Sequence, residues 1–222
     1  MEEQNRNKET APGEARRPSS VEEAEAAIEA VLFAMGDSVE LGRIAKAIGH
    51  DTETTRRILN HMMEKYNIEE TMAFTGHRLI EPGRVEDIKA QLRIKIKALY
   101  AKGIRIYLSG MALGFDMLAA EVVLSLKAEL PSLKLVAIIP FRNQYNRWNY
   151  MSRARYCDIL AAADDAIVLS DGFYKGCCLK RNDFMIDHSC GLIAFYDGGY
   201  KGGTFYTCKK ARAKEKEIIN LY

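Results

Sequence analysis

From Thr71 onward, short apolar runs alternate with longer amphipathic segments, and this alternation constrains the fold more than any other feature. The predicted strands are 72–75, 104–108, 133–139, 166–170, 192–196 and 217–221. The predicted helices between them are 85–101, 115–130, 145–162, 178–187 and 204–214. Most of the strands are almost continuously apolar, which is typical of strands buried on both faces. The pattern predicts an α/β domain over 71–222, with a Rossmann-like, doubly wound and mainly parallel six-stranded sheet.

The residues before this pattern predict a small helical domain over 20–67. A capping box at Ser20 opens the first helix, and Gly36-Asp37 ends it. A second helix runs from Ser38 to Ile48, with Gly49 as its C-terminal stop, before a third. This order is that of a helix-turn-helix unit, and it makes Arg56 and Arg57 on the third helix the candidate DNA contacts. Three helices of this size equally serve to dock a protein partner or to form a homo-oligomer. Residues 1–19 are polar, lack periodicity and are expected to be a disordered tail.

Composition narrows the function classes. The net charge of +2 gives no strong field for a membrane or for nucleic acid. The five cysteines form no CxxC pair and no zinc-site spacing, so no metal is expected, and the odd number points to reduced thiols. With no signal-like apolar segment and no membrane-spanning run, the chain is expected to be cytoplasmic. Nothing in the sequence calls for a cofactor.

Five loops rich in glycine, hydroxyl and charged residues follow the predicted strands. They are Thr75-Gly76-His77-Arg78, Ser109 to Gly114, Pro140-Phe141, Ser170-Asp171-Gly172 and Asp197 to Thr204. The carboxyl ends of parallel strands lie along one edge of a sheet, where α/β proteins bind their ligands. Tight turns would explain any one of these loops, but the five together favour a binding site.

The turn from Gly110 to Gly114 joins a strand to a helix and predicts an anion site. Glycine lets a phosphate approach the main chain, and the helix supplies free N–H groups and its dipole. Ser109 could donate its hydroxyl to the same phosphate, and Gly202-Gly203-Thr204 forms a second phosphate loop before the last helix. Neither a GxGxxG fingerprint after the first strand nor a GxxxxGK[ST] loop is present, which argues against NAD and against Walker-type nucleotide hydrolysis.

The charged residues of these loops each have a chemical role and a structural alternative. Arg78 could hold a phosphate with two hydrogen bonds. His77 could donate to that phosphate, act as an acid–base group, or be a hydrogen-bonded structural histidine. Asp116 could cap its helix, accept a ribose hydroxyl or, in an enzyme, be a catalytic carboxylate. Glu121 could be a buried partner of Arg78 or a catalytic carboxylate. Two further polar residues, Arg181 and Asn182, could reach the ligand from a helix start.

The same residues resemble a known family. TGHR at 75–78, SGMALGFDMLAAE at 109–121, PF at 140–141, RNDFMIDHS at 181–189 and AFYDGGYKGGT at 194–204 are similar to the YpsA-like branch of the SLOG superfamily. That superfamily includes the LOG proteins and the DNA-processing protein DprA. The resemblance implies a Rossmann-like fold that binds a nucleotide, a nucleotide derivative or a nucleic-acid phosphate, and it supplies no established reaction.

A second resemblance concerns the helical domain alone. The wording IEAVLFAMGDSVELGRIAKAIG, within residues 25–66, is similar to the N-terminal winged-helix half of segregation and condensation protein B. The two strands of a wing are missing, because the chain proceeds directly to the predicted strand near Thr71.

These observations favour a sensory or regulatory protein that binds a nucleotide derivative. LOG enzymes cleave nucleoside monophosphates with a PGGxGTxxE loop, and in this chain Thr207 stands at the position of the glutamate. The alternatives are a LOG-like phosphoribohydrolase and a DNA-binding protein of DNA processing or chromosome segregation.

Overall fold

A computed structural model describes residues 18–35, 39–64 and 68–222. The chain divides into two compact units, Met1–Met63 and Glu64–Tyr222. Several expectations lie outside the described residues: most of the tail, the first helix end at Gly36-Asp37, the second helix start at Ser38, and the end of the helical domain at 65–67.

The first unit contains three helices, as predicted: α1 (Val21–Met35), α2 (Leu41–Ile48) and α3 (Thr52–Glu64). At the start of α1 the Glu23 N–H donates to the Ser20 hydroxyl at 3.2 Å. Gly49 ends α2 in the left-handed conformation, at φ 70°. The helices enclose a small apolar core made of Ala24, Ile28, Ile44, Ile48 and Ile58.

The second unit alternates strands and helices throughout. Its elements are β1 (Thr71–Gly76), α4 (Val85–Ala101), β2 (Ile106–Ser109), α5 (Phe115–Leu126), β3 (Lys134–Ile139), α6 (Tyr150–Ala162), β4 (Asp165–Val168), α7 (Cys177–Asp187), β5 (Gly191–Phe195), α8 (Gly203–Ala213) and β6 (Glu217–Asn220). All six strands are parallel, in the order β4-β3-β2-β1-β5-β6. The predicted Rossmann-like fold is confirmed.

Two helix boundaries differ clearly from their predictions: α5 ends at Leu126 rather than near Leu130, and α6 begins later than expected. Helix α6 begins at Tyr150 rather than near Tyr145, because the Asn149 side chain accepts the Ser152 N–H at 2.8 Å and caps the helix there.

The helices form a layer on each face of the sheet. Helices α4, α5 and α6 pack one face, where Phe74 of β1 meets residues such as Leu92 and Met117. Helices α7 and α8 pack the other face, where Val136 of β3 meets Met185 and Ala211. Side chains of the central strands are therefore buried on both sides, which explains their continuous apolar sequence.

The strand order creates a switch point between β1 and β5. From β1 the sheet continues through β2, β3 and β4 in one direction and through β5 and β6 in the other. The helix after β1 and the helix after β5 lie on opposite faces of the sheet. The segments that follow these two neighbouring strands therefore diverge at the carboxyl ends of the strands and leave a crevice between them. Doubly wound proteins bind their ligands at this kind of switch point.

Candidate functional site

A cavity of about 390 Å³ lies at the switch point between β1 and β5. Its walls come from the segment that follows β1 and from the ends of β5 and β6: His77, Arg78, Leu79, Glu81, Arg84, Phe195, Asp197 and Tyr222. The volume is within the usual range for small-molecule sites.

His77 joins the two sides of this crevice. Its Nε2 accepts the Asp197 N–H at 3.1 Å and lies 3.1 Å from a carboxylate oxygen of the same residue. The Gly199 N–H donates to that carboxylate at 2.9 Å, which holds the pKa of Asp197 below its usual value. In the structure His77 is hydrogen-bonded and joins the loop after β5 to the loop after β1, and its roles toward a phosphate or as an acid–base group stay predictions.

Two glycines let the loop after β1 pack against the start of α5. A Cβ on Gly76 would lie 2.5 Å from the Phe115 side chain, and a Cβ on Gly114 would lie 2.5 Å from the His77 carbonyl oxygen. Gly114 has φ 84°, and the next residue donates its N–H to that carbonyl at 3.1 Å. Gly114 therefore provides a close approach of two backbone segments. Thr75 is buried at the end of β1, beside β5.

The predicted phosphate position at Gly110 is occupied by protein. A Cβ there would overlap the Arg181 guanidinium and lie 2.7 Å from a carboxylate oxygen of Asp116. Arg181 Nη1 donates to the Gly110 carbonyl. The prediction that Ser109 donates to a phosphate is corrected as well, because this buried hydroxyl donates to the Asp116 carbonyl at 3.0 Å and accepts the Met111 N–H. The glycine allows Arg181 to approach the main chain.

Asp116 and Arg181 are oppositely charged groups that are both buried next to this turn. Burial raises the pKa of Asp116 to about 6, although Arg181 and a hydrogen bond from the Ala112 N–H act in the opposite direction. Asp116 is not the cap of α5, because Gly114 occupies that position. The structure places the Asp116 carboxyl group inside the protein, near Arg181. Burial lowers the pKa of Arg181, and the charge of Asp116 opposes that decrease.

Asp116 should make the stability of the second unit depend on pH. Its pKa is near 3.8 when unfolded and about 6 when folded, so the folded state binds the proton more tightly. We expect wild-type stability, relative to Asp116→Asn, to fall by about 2–3 kcal/mol as the pH rises from 4 to 7. Urea denaturation of both proteins across this range measures the difference. A difference that is constant with pH would contradict the shifted pKa.

The loop after β5 leads into α8 through exposed glycines. Gly202 precedes the helix at φ 94°, and no side chain caps the first turn, where Gly203 is exposed and Thr204 half-buried. A helix start of this kind has backbone N–H groups free to bind an anion.

Hydrogen bonds fix the start of α8 against α7. Asn182 Nδ2 donates to the Thr207 hydroxyl at 2.8 Å, and that hydroxyl donates to the Gly203 carbonyl at 2.7 Å. Arg181 Nε donates to the Asn182 side-chain oxygen at 2.7 Å. Asn182 therefore lies beside the glycine loop, whereas Arg181 is turned toward Gly110.

Arg78 is the exposed cation of the crevice. Within residues 68–222, no ion pair or hydrogen bond of its guanidinium is found. Burial raises the pKa values of Asp116 and Cys178, and the positive charge of Arg78 opposes both increases. This charge is available to a ligand.

The family-model comparison decides the relationship of the chain. The YpsA model, described as the YspA SLOG family, matches residues 72–221. The chain belongs to this SLOG family. A UPF0398 protein of Bacillus pumilus is 34% identical over 149 residues, covering 63% of this chain and 80% of that protein. One from Bacillus licheniformis is 32% identical over 161 residues, covering 68% and 88% respectively.

A solved structure shares the fold of this SLOG protein. It is DNA processing protein A from Helicobacter pylori, reported for its unique mode of binding single-stranded DNA. The TM-score is 0.50 and the identity 20%, and the match covers 71% of this chain and 67% of the other. The family match begins after the helical unit, so the resemblance to segregation and condensation protein B and the DNA contacts of Arg56 and Arg57, both exposed on α3, stay predictions.

The role predicted for Glu121 in the SLOG domain is corrected. Its carboxylate accepts hydrogen bonds from Arg155 Nε and Nη2, at 2.6 and 2.7 Å, and so joins α5 to α6. It is not the partner of Arg78.

The sequence did not predict five residues of the SLOG cavity: Leu79, Glu81, Arg84, Phe195 and Tyr222. Leu79, Glu81 and Arg84 lie in the same segment after β1 as His77 and Arg78, and that position in the chain is the signal that could have identified them. Over the described ranges, no group of three metal-ligating side chains occurs, and no helix is long and apolar enough to cross a bilayer. All five cysteines are free thiols.

Proposed function

We propose that the SLOG domain binds a nucleotide or nucleotide derivative by its phosphate, in the crevice between β1 and β5. The observation that carries the proposal is the exposed residue Arg78, which lines the cavity and has no ion-pair partner within residues 68–222. Arginine is well suited to phosphate because its planar donors fit two phosphate oxygens.

The uncapped start of α8 is the second phosphate contact in this proposal. Asn182 lies next to Gly203 and directly follows Arg181, on whose pKa the charge of Arg78 also acts. Arg78 and the Gly202–Gly203 turn lie on the segments that follow the neighbouring parallel strands β1 and β5 at their carboxyl ends. The phosphate is placed there, and not at Gly110, where Arg181 fills the space.

The positions of the carboxylates favour a role in binding over cleavage of a glycosidic bond. The glutamate position of LOG enzymes is Thr207, which is buried and hydrogen-bonded to Asn182 and Gly203. Glu121 is paired with Arg155, and Asp116 is inside the protein. We therefore propose a sensory or regulatory protein, in which the helical unit docks a partner or contacts DNA.

Replacing Arg78 with alanine should weaken nucleotide binding about 10- to 100-fold, the usual result of losing a hydrogen bond to a charged group. Isothermal titration with nucleoside mono- and diphosphates and ADP-ribose measures the affinities. Arg93→Ala, on the exposed face of α4, is the matched control and should bind as the wild type does. The proposal fails if none of these compounds binds, or if Arg78→Ala binds them with unchanged affinity.

A second candidate ligand is single-stranded nucleic acid, which the fold neighbour from Helicobacter pylori binds. It is favoured by exposed aromatic rings on the loops of the same sheet edge, Phe173 after β4 and Tyr200 after β5. Such rings stack on bases without regard to sequence. Anisotropy of a labelled oligonucleotide tests this candidate: binding that weakens steeply with salt supports it, and no binding at low salt excludes it.

A further inference from the structure

Flat side chains line one side of the cavity. The Arg84 guanidinium carbon lies 4.6 Å from the centre of the Tyr222 ring and 4.9 Å from that of Phe195. The two rings are 5.1 Å apart. Aromatic rings and a guanidinium plane are the surfaces on which nucleobases stack, so this wall suits a planar ligand.

Two large apolar groups of the same cavity are exposed to solvent. Leu79 is 90% exposed and Tyr222 is 59% exposed, and both line the cavity. Covering exposed apolar surface is favourable because it removes that surface from water. A ring that enters the cavity would gain this energy, while a phosphate alone would not.

Two carboxylates, those of Glu81 and Asp197, line the cavity, and Glu81 is the less engaged of the two. Asp197 already accepts the Gly199 N–H and lies against His77. No hydrogen bond or ion pair of the Glu81 carboxylate is found among the described residues, although Arg78 and Arg84 line the same cavity. A carboxylate accepts two parallel hydrogen bonds, so it is best matched by a ligand with two adjacent N–H donors.

Among the common nucleobases this requirement selects guanine. Its N1–H and 2-amino group are neighbouring donors on one edge. Adenine and cytosine place a ring acceptor beside their amino group, and uracil has a single N–H between two carbonyls. Each of these would turn at least one acceptor toward the carboxylate.

We infer that the cavity between β1 and β5 is a base site for a guanine nucleotide, with the ring stacked on the Arg84–Tyr222 wall and its donor edge on Glu81. The inference rests on the phosphate site proposed above and adds the class of base. Glu81 recognises the base, and Arg78 holds the phosphate.

The test compares GMP, IMP and AMP by isothermal titration of the full chain. IMP lacks only the 2-amino group, so it measures one of the two hydrogen bonds to Glu81. We expect the wild type to bind GMP at least 10-fold more tightly than IMP or AMP. Glu81→Gln should weaken GMP binding at least 10-fold and leave AMP unchanged. Glu86→Gln, which changes an exposed carboxylate of α4 paired with Lys89, should behave as wild type.

A second variant separates stacking from base recognition. Tyr222→Leu should weaken all three nucleotides by a similar factor and preserve their order. Equal affinities for GMP and AMP in the wild type, or GMP binding that is insensitive to Glu81→Gln, would overturn the guanine inference while the phosphate site stands. Failure of every nucleotide to bind would overturn both. Because Glu81 and Tyr222 are exposed, the melting temperatures of the variants should match that of the wild type and rule out unfolding as the cause.

Discussion

Arg181→Met is expected to destabilise the second unit by about 3–5 kcal/mol, because the substitution removes one member of a buried pair of opposite charges. It also removes the hydrogen bonds to the Gly110 carbonyl and to Asn182. Urea denaturation, followed by circular dichroism, measures the loss.

The loss should depend on pH in a direction that identifies its cause. Arg181 lowers the pKa of Asp116, so in Arg181→Met that pKa should rise above its folded value of about 6. At pH 5 the carboxyl group is protonated in both proteins, and the loss reflects mainly hydrogen bonds. At pH 8 the wild type has the attraction to Arg181 and the variant does not, so the loss should be larger.

Arg155→Met is the matched control for the arginine. It breaks the ion pair with Glu121. The side chain of Arg155 is 39% exposed and that of Glu121 is 34% exposed, and ion pairs screened by solvent contribute little to stability. Its effect should be below about 1 kcal/mol and nearly independent of pH over this range. Similar losses for the two variants would show that the pair of Asp116 and Arg181 has no special weight.

Gly114→Ala is expected to cost about 2–4 kcal/mol and to weaken nucleotide binding strongly. The residue has φ 84°, which strains any side chain, and its Cβ would lie 2.5 Å from the backbone oxygen of His77. The backbone of the loop after β1 must move, and Arg78 moves with it. Thermal denaturation and titration with the nucleotide measure the two effects.

Gly172→Ala tests whether the effect is particular to Gly114. Gly172 lies on the loop after β4, at the same sheet edge, where an added Cβ would meet no described atom within 4 Å and φ is not positive. Alanine there should change stability by less than about 1 kcal/mol. If Gly114→Ala is equally mild, the close packing of the two loops does not hold the site together.

The sequence predicts the sheet well because burial on both faces leaves a local mark. The run 133–139, for example, is apolar at almost every position. Parallel strands inside a sheet have such sequences because helices cover both of their faces. The pairing of β1 with β5 leaves no such mark. It depends on contacts between residues such as Met72 and Gly191, which are far apart in the chain.

Glycine patterns locate the loops of the site but not the reason for each glycine. Gly110 and Gly114 are needed for close approach, as predicted, yet the groups that approach are Arg181 and the backbone of the loop after β1. A phosphate would require the same residue type. Leu79 shows a second limit of sequence patterns, since its apolar side chain has no local mark of exposure and is nevertheless 90% exposed.

The pairing of β1 with β5 also sets when the crevice can exist during synthesis. One wall, the loop after Gly76, emerges early from the ribosome, and the other, the loop after Phe195, emerges near the end of the domain. On the side of β1 that faces away from β2, no strand can pair until β5 (Gly191–Phe195) has been synthesised. A growing chain that stops before this strand has Arg78 but no opposite wall, so the crevice forms only after β5 and the following residues up to Tyr222 have been synthesised.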